Sequence, residues 1–396
     1  MTPPARPEAG PCPAAAADPG AAFPAPCAVS LGGDEDDPAG AILAAFRGLD
    51  PALVLVFGAP RGGLAALGRA LRGGFGPGCR VVGCSSAGEI GPAGYGRDSV
   101  VALGFPAAVF RAQICVLENQ AQVPVSDWIR SLRAAHARFR PDPGRAAFGV
   151  LLADARARHE EVLVAALDAA IPGLPVIGGS AAQGAQFLPA CQTVDGEPRP
   201  GAALLVLIET RLAIAEVVFA HFRPTDRRAV VTAADPQDRI IHELNAEPAA
   251  REYARLAGIP PEALSPTEFA RHPLLLRMGR HHHVRAIRDV TAQGGLRLMS
   301  GIEPGHILTL GRVVDMTRGF AEVMDALPRP PLMVLGFDCI LRRLALERAG
   351  MAGQMSDLLA RYRVAGCNSW GEQHSGMHVN QTFVGMALMP PPPAGA

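Results

Sequence analysis

The stretch Val364-Ala365-Gly366-Cys367-Asn368-Ser369-Trp370-Gly371-Glu372-Gln373-His374-Ser375-Gly376-Met377-His378-Val379-Asn380-Gln381-Thr382-Phe383-Val384-Gly385-Met386-Ala387-Leu388 sets a polar, glycine-bounded loop between two apolar runs. Short apolar runs bounded by glycine read as strands, so the stretch predicts strand, loop and strand, with His378 opening the second strand. Along that strand His378, Asn380, Thr382 and Val384 would share one face, because successive side chains alternate. A near-copy lies far upstream: Gly83-Cys84-Ser85-Ser86-Ala87-Gly88-Glu89 matches Gly366-Cys367-Asn368-Ser369-Trp370-Gly371-Glu372 in all but two positions. The loop is therefore one half of a repeated device.

Outward from the upstream copy, apolar runs at Leu53–Gly58 and Cys79–Cys84 read as strands around a helix at Leu64–Leu71. Ser99–Leu103 and Phe110–Val116 follow as antiparallel neighbours, since no long helix separates them. The pattern repeats with a helix at Val125–Arg138, a strand at Ala147–Leu152 and an amphipathic helix at Glu160–Ala170. The short strand Val176-Ile177 then runs into the loop Gly178-Gly179-Ser180-Ala181-Ala182-Gln183-Gly184. Ala202–Ile208 and Leu212–Ala220 read as a hairpin. Polar Pro224–Asp238 reads as a domain boundary, with a helix starting at Ile240–Asn245 beyond it. A helix at Met316–Leu327 and a strand at Leu332–Phe337 lead back to the opening stretch.

This order predicts an α/β protein of two mixed-sheet α/β domains, with glycine-rich ligand loops at strand ends, where open α/β sheets place ligands. Residues 1–38 read as a disordered Pro/Ala-rich extension, 39–222 and 223–389 as the two domains, and 390–396 as a disordered tail.

A chain of 396 residues that is 49% hydrophobic can bury two substantial cores. The 37 basic residues balance 37 acidic ones, which removes any global attraction to nucleic acid or anionic membranes. Every basic residue is arginine, excluding a lysine Schiff base and a lysine-bearing phosphate loop. The eight cysteines include no C-x-x-C pair, so neither a zinc finger nor a covalent haem attachment is expected. Cys115 and Cys339, embedded in apolar runs, read as reduced and buried. No leader-like segment is evident and no run approaches the ~18 apolar residues of a spanning helix, which points to a cytoplasmic protein.

Val82-Gly83-Cys84-Ser85-Ser86-Ala87-Gly88-Glu89-Ile90, Glu243-Leu244-Asn245, Gly371-Glu372-Gln373 and Asn380-Gln381-Thr382 occur in the order of the FIST sensory family, which the chain resembles over roughly residues 40–389. The resemblance implies a FIST N and a FIST C domain and a sensory rather than catalytic role. Phe337-Asp338-Cys339 with Arg342-Arg343, and Met377-His378-Val379-Asn380-Gln381-Thr382, are similar to the nitric-oxide-sensing haem branch of that family. That similarity implies haem b held through His378, with Arg342 and Asn380 beside the cofactor. It also implies regulation of a separate histidine kinase, diguanylate cyclase or phosphodiesterase, and it leaves self-association open.

A single histidine ligand leaves the opposite face of a haem iron free for a diatomic gas. The alternative is a histidine that caps its own loop through Glu372 or a backbone carbonyl. Cys84, Ser85 and Ser86, with Cys367, Asn368, Ser369 and Glu372, offer hydroxyls and glycine amides to a carboxylate, or form ordinary turns. On that basis a haem-free sensor of a small metabolite such as an amino acid is the second expectation. Cys367 with His374 would be a nucleophile and base only if the thiol were acidified. His281-His282-His283 with Arg277, Arg280, Arg285 and Arg288 reads as a solvated basic surface, with contact to a haem propionate or a partner-docking patch as the second reading.

Overall fold

The computed structural model describes residues 24–118, 124–157, 159–181, 183–184, 189–278, 281–374 and 376–391. Three six-stranded sheets share one plan. The first runs β1 (Cys27–Gly32), β6 (Ser99–Pro106), β2 (Pro51–Gly58), β3 (Arg80–Cys84), β10 (Gln192–Val194), β11 (Glu197–Pro198). The second runs β7 (Phe110–Leu117), β12 (Ala203–Thr210), β8 (Ala146–Asp154), β9 (Val176–Ala181), β24 (Glu372–His374), β25 (Met377–Val379). The third runs β13 (Ala213–Ala220), β26 (Thr382–Met389), β22 (Met333–Cys339), β23 (Val364–Ser369), β4 (Gly88–Gly91), β5 (Gly94–Gly96).

In each sheet two strands pair in parallel across a helical crossover: β2 with β3, β8 with β9, β22 with β23. A later strand returns antiparallel beside the first of them: β6, β12 and β26. The closing hairpin of each sheet belongs to another unit. Hairpin β4–β5 pairs β23, hairpin β24–β25 pairs β9, and hairpin β10–β11 pairs β3. The exchange is cyclic, so the three units form a pseudo-threefold ring.

The strands are apolar on both faces because both are covered. Every residue of β6, β12 and β26 is buried. Inner faces meet in one central core, to which Leu55 and Phe57, Val150 and Leu152, and Leu335 and Phe337 each bring one sheet. Outer faces carry helices: α1 (Pro38–Ala45) and α2 (Leu64–Phe75), α3 (Val125–Phe139) and α4 (Glu160–Ala170), and α7 (Met316–Asp325) to α9 (Ala352–Arg361) with α8 (Ile340–Arg348) between. Side chains cap two of these helices, Asp37 on Gly40 N and Asp315 on Thr317 N and Arg318 N.

An eight-stranded sheet is inserted between β13 and α7: β14 (Phe222–Asp235), β15 (Ile240–Leu244), β16 (Glu247–Pro248), β17 (Leu274–Met278), β18 (His281–Arg285), β19 (Ile287–Val290), β20 (Leu296–Leu298) and β21 (Ile307–Val313). With α5 (Ala249–Ala257) and α6 (Pro266–Arg271) it closes a separate core around Tyr253, Phe269 and Leu296.

The mixed α/β class is as expected, and five details of the sequence reading are corrected. The extension over 1–38 is ordered from Cys27, because β1 pairs β6 over its whole length; residues 1–23 and 392–396 lie outside the described residues. Pro224–Asp238 is strand rather than linker, and Ile240–Leu244 is a strand whose helical look reflects burial at Ile241 and Leu244. Ala203–Thr210 and Ala213–Ala220 form no hairpin, since β12 and β13 enter different sheets. His378 and Thr382 belong to different strands as well: Gln381 turns the chain at φ 55°, sending β25 to the second sheet and β26 to the third.

Candidate functional site

The twin loops brace the ring. Ser86 Oγ donates to Glu89 at 2.6 Å and Ser99 Oγ at 2.7 Å. Ser369 Oγ donates to Glu372 at 2.8 Å and Thr382 Oγ1 at 2.7 Å. Register equates the two carboxyls, with Glu89 opposite Cys367, Glu372 opposite Gly179 and, in the third hairpin, Gln192 opposite Cys84. Burial raises both: Glu89 above the ordinary range and Glu372 to about 8, against the lowering pull of their hydroxyl donors. Ser85 Oγ accepts from Cys191 N at 2.9 Å, while Asn368 accepts from Arg343 at 2.7 Å and donates to Asp338 O at 3.1 Å.

The loop side chains therefore bond one another. Cys84 and Cys367 lie in the central core, where burial pushes both thiols far up and leaves no acidified nucleophile. His374 is not beside Cys367; it pairs with Glu216 at 3.1 Å.

Each hairpin sets one side chain at the same register position against the next unit, and here the units differ: Tyr95 is half-buried, His378 buried and Pro198 exposed. Tyr95 stands opposite Ile90, His378 opposite Gln373 and Pro198 opposite Thr193, so the three are equivalent. At Tyr95 the hydroxyl is bonded, although Arg342 Nε has no hydrogen-bond partner among the described residues. Tyr95 donates to Asp338, and Arg342, fully buried, donates to Asp338 at 2.9 Å beneath the rings of Phe219 and Phe320. Arg342 thus belongs to the Tyr95 seam and is not brought to His378.

At His378 the seam is incomplete. Its ring is 3% exposed and Nδ1 stands 3.4 Å from Gln373 Nε2, while Nε2 and Gln373 Oε1 have no hydrogen-bond partner among the described residues. Charged groups of the insert and of α4 gather there. Arg239 donates to Glu160 at 3.0 Å, to Glu161 at 2.8 Å and to Met299 O at 2.6 Å. Gly301 N donates to Glu161 at 2.7 Å, and Ser300 Oγ to Asn380 Oδ1 at 2.8 Å.

Burial, with Arg239 and Arg285, outweighs the attraction of Glu160 and Glu161 and holds His378 below its usual value, so the ring is neutral near pH 7. Burial works to raise Glu161, but neighbouring cations and the Gly301 amide hold it low; with His378 neutral, Arg239 is the cation that matters. The arrangement suits a compact ligand carrying hydrogen-bond acceptors or donors.

Haem fits this arrangement poorly. Gly371 lets the imidazole pack against the backbone so closely that a Cβ there would lie 2.3 Å from Cε1 and 2.7 Å from Nε2. A porphyrin at Nε2 requires hairpin β24–β25 to swing away. A haem-ligating imidazole also donates its other N–H to an acceptor, whereas Nδ1 here faces an amide nitrogen. Among the described residues no group of three or more His, Cys, Asp or Glu is placed to hold a metal ion.

The structure thus gathers His378 and Asn380 at one seam and leaves Cys84, Ser85, Ser86, Cys367, Asn368, Ser369 and Glu372 in the brace. Sequence reasoning missed Glu160, Glu161, Arg239 and Ser300, which come from distant segments and carry no local motif. Arg285, read as solvated, is 6% exposed; Arg280 and the His281 side chain lie outside what is described. No helix among the described residues is long and apolar enough to cross a membrane. No curated protein matches the chain. A FIST N domain family model matches residues 52–247 and a FIST C domain model residues 249–375. Together they cover most of the chain, and the chain belongs to the FIST family of small-ligand-sensing signal-transduction proteins.

Proposed function

We propose that the small ligand of this FIST protein binds at the seam where hairpin β24–β25 meets the N-terminus of α4 and the inserted sheet, against His378. The observation that carries this is the buried Nε2 of His378 without a partner among the described residues, at the position where the hydroxyl of the equivalent Tyr95 is bonded to Asp338. A buried polar atom left unpaired costs on the order of 1–3 kcal/mol, and a ligand that pairs it recovers that free energy. The seam joins the insert to the ring, so an occupant contacts both and biases how they dock. An amino acid is one metabolite of suitable size and polarity. Output to a histidine kinase, diguanylate cyclase or phosphodiesterase in trans is proposed from the resemblance in sequence.

The test is a thermal-shift screen of the metal-free protein against amino acids and other small polar metabolites. A stabilising ligand whose effect disappears in His378→Ala supports the seam; a ligand response unchanged in that variant removes it.

A nitric-oxide sensor holding haem through His378 is the second reading. Turning the Gln373 amide over would let Oε1 accept from Nδ1, leaving the Nε2 lone pair for iron. An absorption spectrum after reconstitution with haem decides it: a Soret band lost in His378→Ala favours haem, and no band eliminates it.

A further inference from the structure

We propose that Arg285 is the anion seat of this seam and that the ligand it takes is a small molecule bearing a carboxylate. The inference rests on the seam reading and names what the seam selects. Arg285 closes β18, whose pairing with β17 turns the guanidinium into the protein rather than out to solvent. A buried arginine is ordinarily matched to a carboxylate or a set of carbonyls. Among the described residues the partners of Arg285 are weak: Nη1 reaches Val284 O at 3.4 Å, Nη2 reaches Met278 Sδ at 3.9 Å, and Nε has no hydrogen-bond partner.

The nearby carboxylates are otherwise engaged, Glu160 with Arg239 and Glu161 with Arg239 and the Gly301 amide. Arg285 therefore feels Glu161 through space without bonding it, and its charge also reaches His378. A guanidinium fork matches a carboxylate in two parallel hydrogen bonds, and a further acceptor on the ligand can take the Nε2–H of His378 when the proton sits there. The charges of the cluster favour a carboxylate over phosphate or sulfate. Two carboxylates and two guanidiniums already balance around a neutral imidazole, and a dianion would face Glu160 and Glu161 with one free cation.

Thermal unfolding of the full chain tests this with acetate, lactate, succinate, glycine and glutamate at millimolar concentration, each beside its amide, and with sulfate and phosphate. At least one carboxylate raises the unfolding midpoint by several degrees, and its amide and the inorganic anions do not. Arg285→Met loses that response without lowering the ligand-free midpoint, since the guanidinium has only weak hydrogen bonds to lose. Arg285→Lys, which keeps the charge and loses the fork, raises the half-effective concentration at least tenfold.

No response to any carboxylate, an equal response to an amide or to sulfate, or a response that survives Arg285→Met overturns the anion seat. Loss of response in His378→Ala with retention in Arg285→Met overturns the seat alone and leaves the seam. Indifference to both substitutions overturns both.

Discussion

Glu372 shows how much of this protein's behaviour resides in single buried groups. Its carboxyl stays protonated in the fold up to about 8, whereas in the unfolded chain it ionises at 4.5. A folded-state value above the unfolded one gives a contribution fully present below pH 4.5 and lost as pH rises towards 8. At about 1.4 kcal/mol per pH unit the loss reaches roughly 5 kcal/mol. Glu372→Gln removes this slope, so its unfolding midpoint relative to the parent protein should rise steadily from pH 5 to pH 8. A difference that stays flat over that range contradicts the assignment. Tyr95→Phe makes the complementary test, because it removes a buried donor to Asp338. It should cost about 1–3 kcal/mol of unfolding free energy by chemical denaturation. The first donors to Glu89 and Glu372, Ser86 and Ser369, lie three residues away in the same polar loops that the sequence shows; the second donors, Ser99 and Thr382, lie ten residues on and carry no local signal.

Among elements, the hairpins matter most. Hairpin β24–β25 leaves its own unit to complete the sheet of β8 and β9, carrying His378 away from Arg342. Alternation along a strand predicted that His378 and Thr382 share a face, and the rule fails here because Gln381 ends one strand before the next begins. The insert is fastened to this region by Arg239, which is largely buried between Glu160 and Glu161. Arg239→Ala leaves Glu160 buried without its cation, at a cost of about 3 kcal/mol. Hydrogen exchange should then rise through residues 222–313 and in the first turn of α4, with the central strands still protected. Uniform acceleration throughout the ring would show instead that the insert does not dock as a separate unit.

At the scale of the whole molecule, cyclic exchange of hairpins makes each sheet depend on the other two, and glycine permits the closest approaches. A Cβ on Gly366 would lie 1.9 Å from Gly336 O, and one on the equivalent Gly178 2.0 Å from Leu151 O. Gly366→Ala should therefore abolish soluble folded protein or lower the unfolding midpoint by more than ten degrees, as gel filtration and thermal unfolding would show. The sequence by itself determined the α/β class, the strand–helix–strand order and the kinship of the two polar loops. Those features follow from local periodicity and from short runs that repeat. Tertiary structure alone decided the third unit, whose loop has lost the carboxylate, the passage of hairpins between units, and the seam that joins His378 to Arg285, Glu161 and Arg239. The reason is physical: strand pairing between distant units is set by backbone hydrogen bonds and a shared core, which no local pattern encodes. A buried guanidinium among basic neighbours has the same sequence signature as a solvated one.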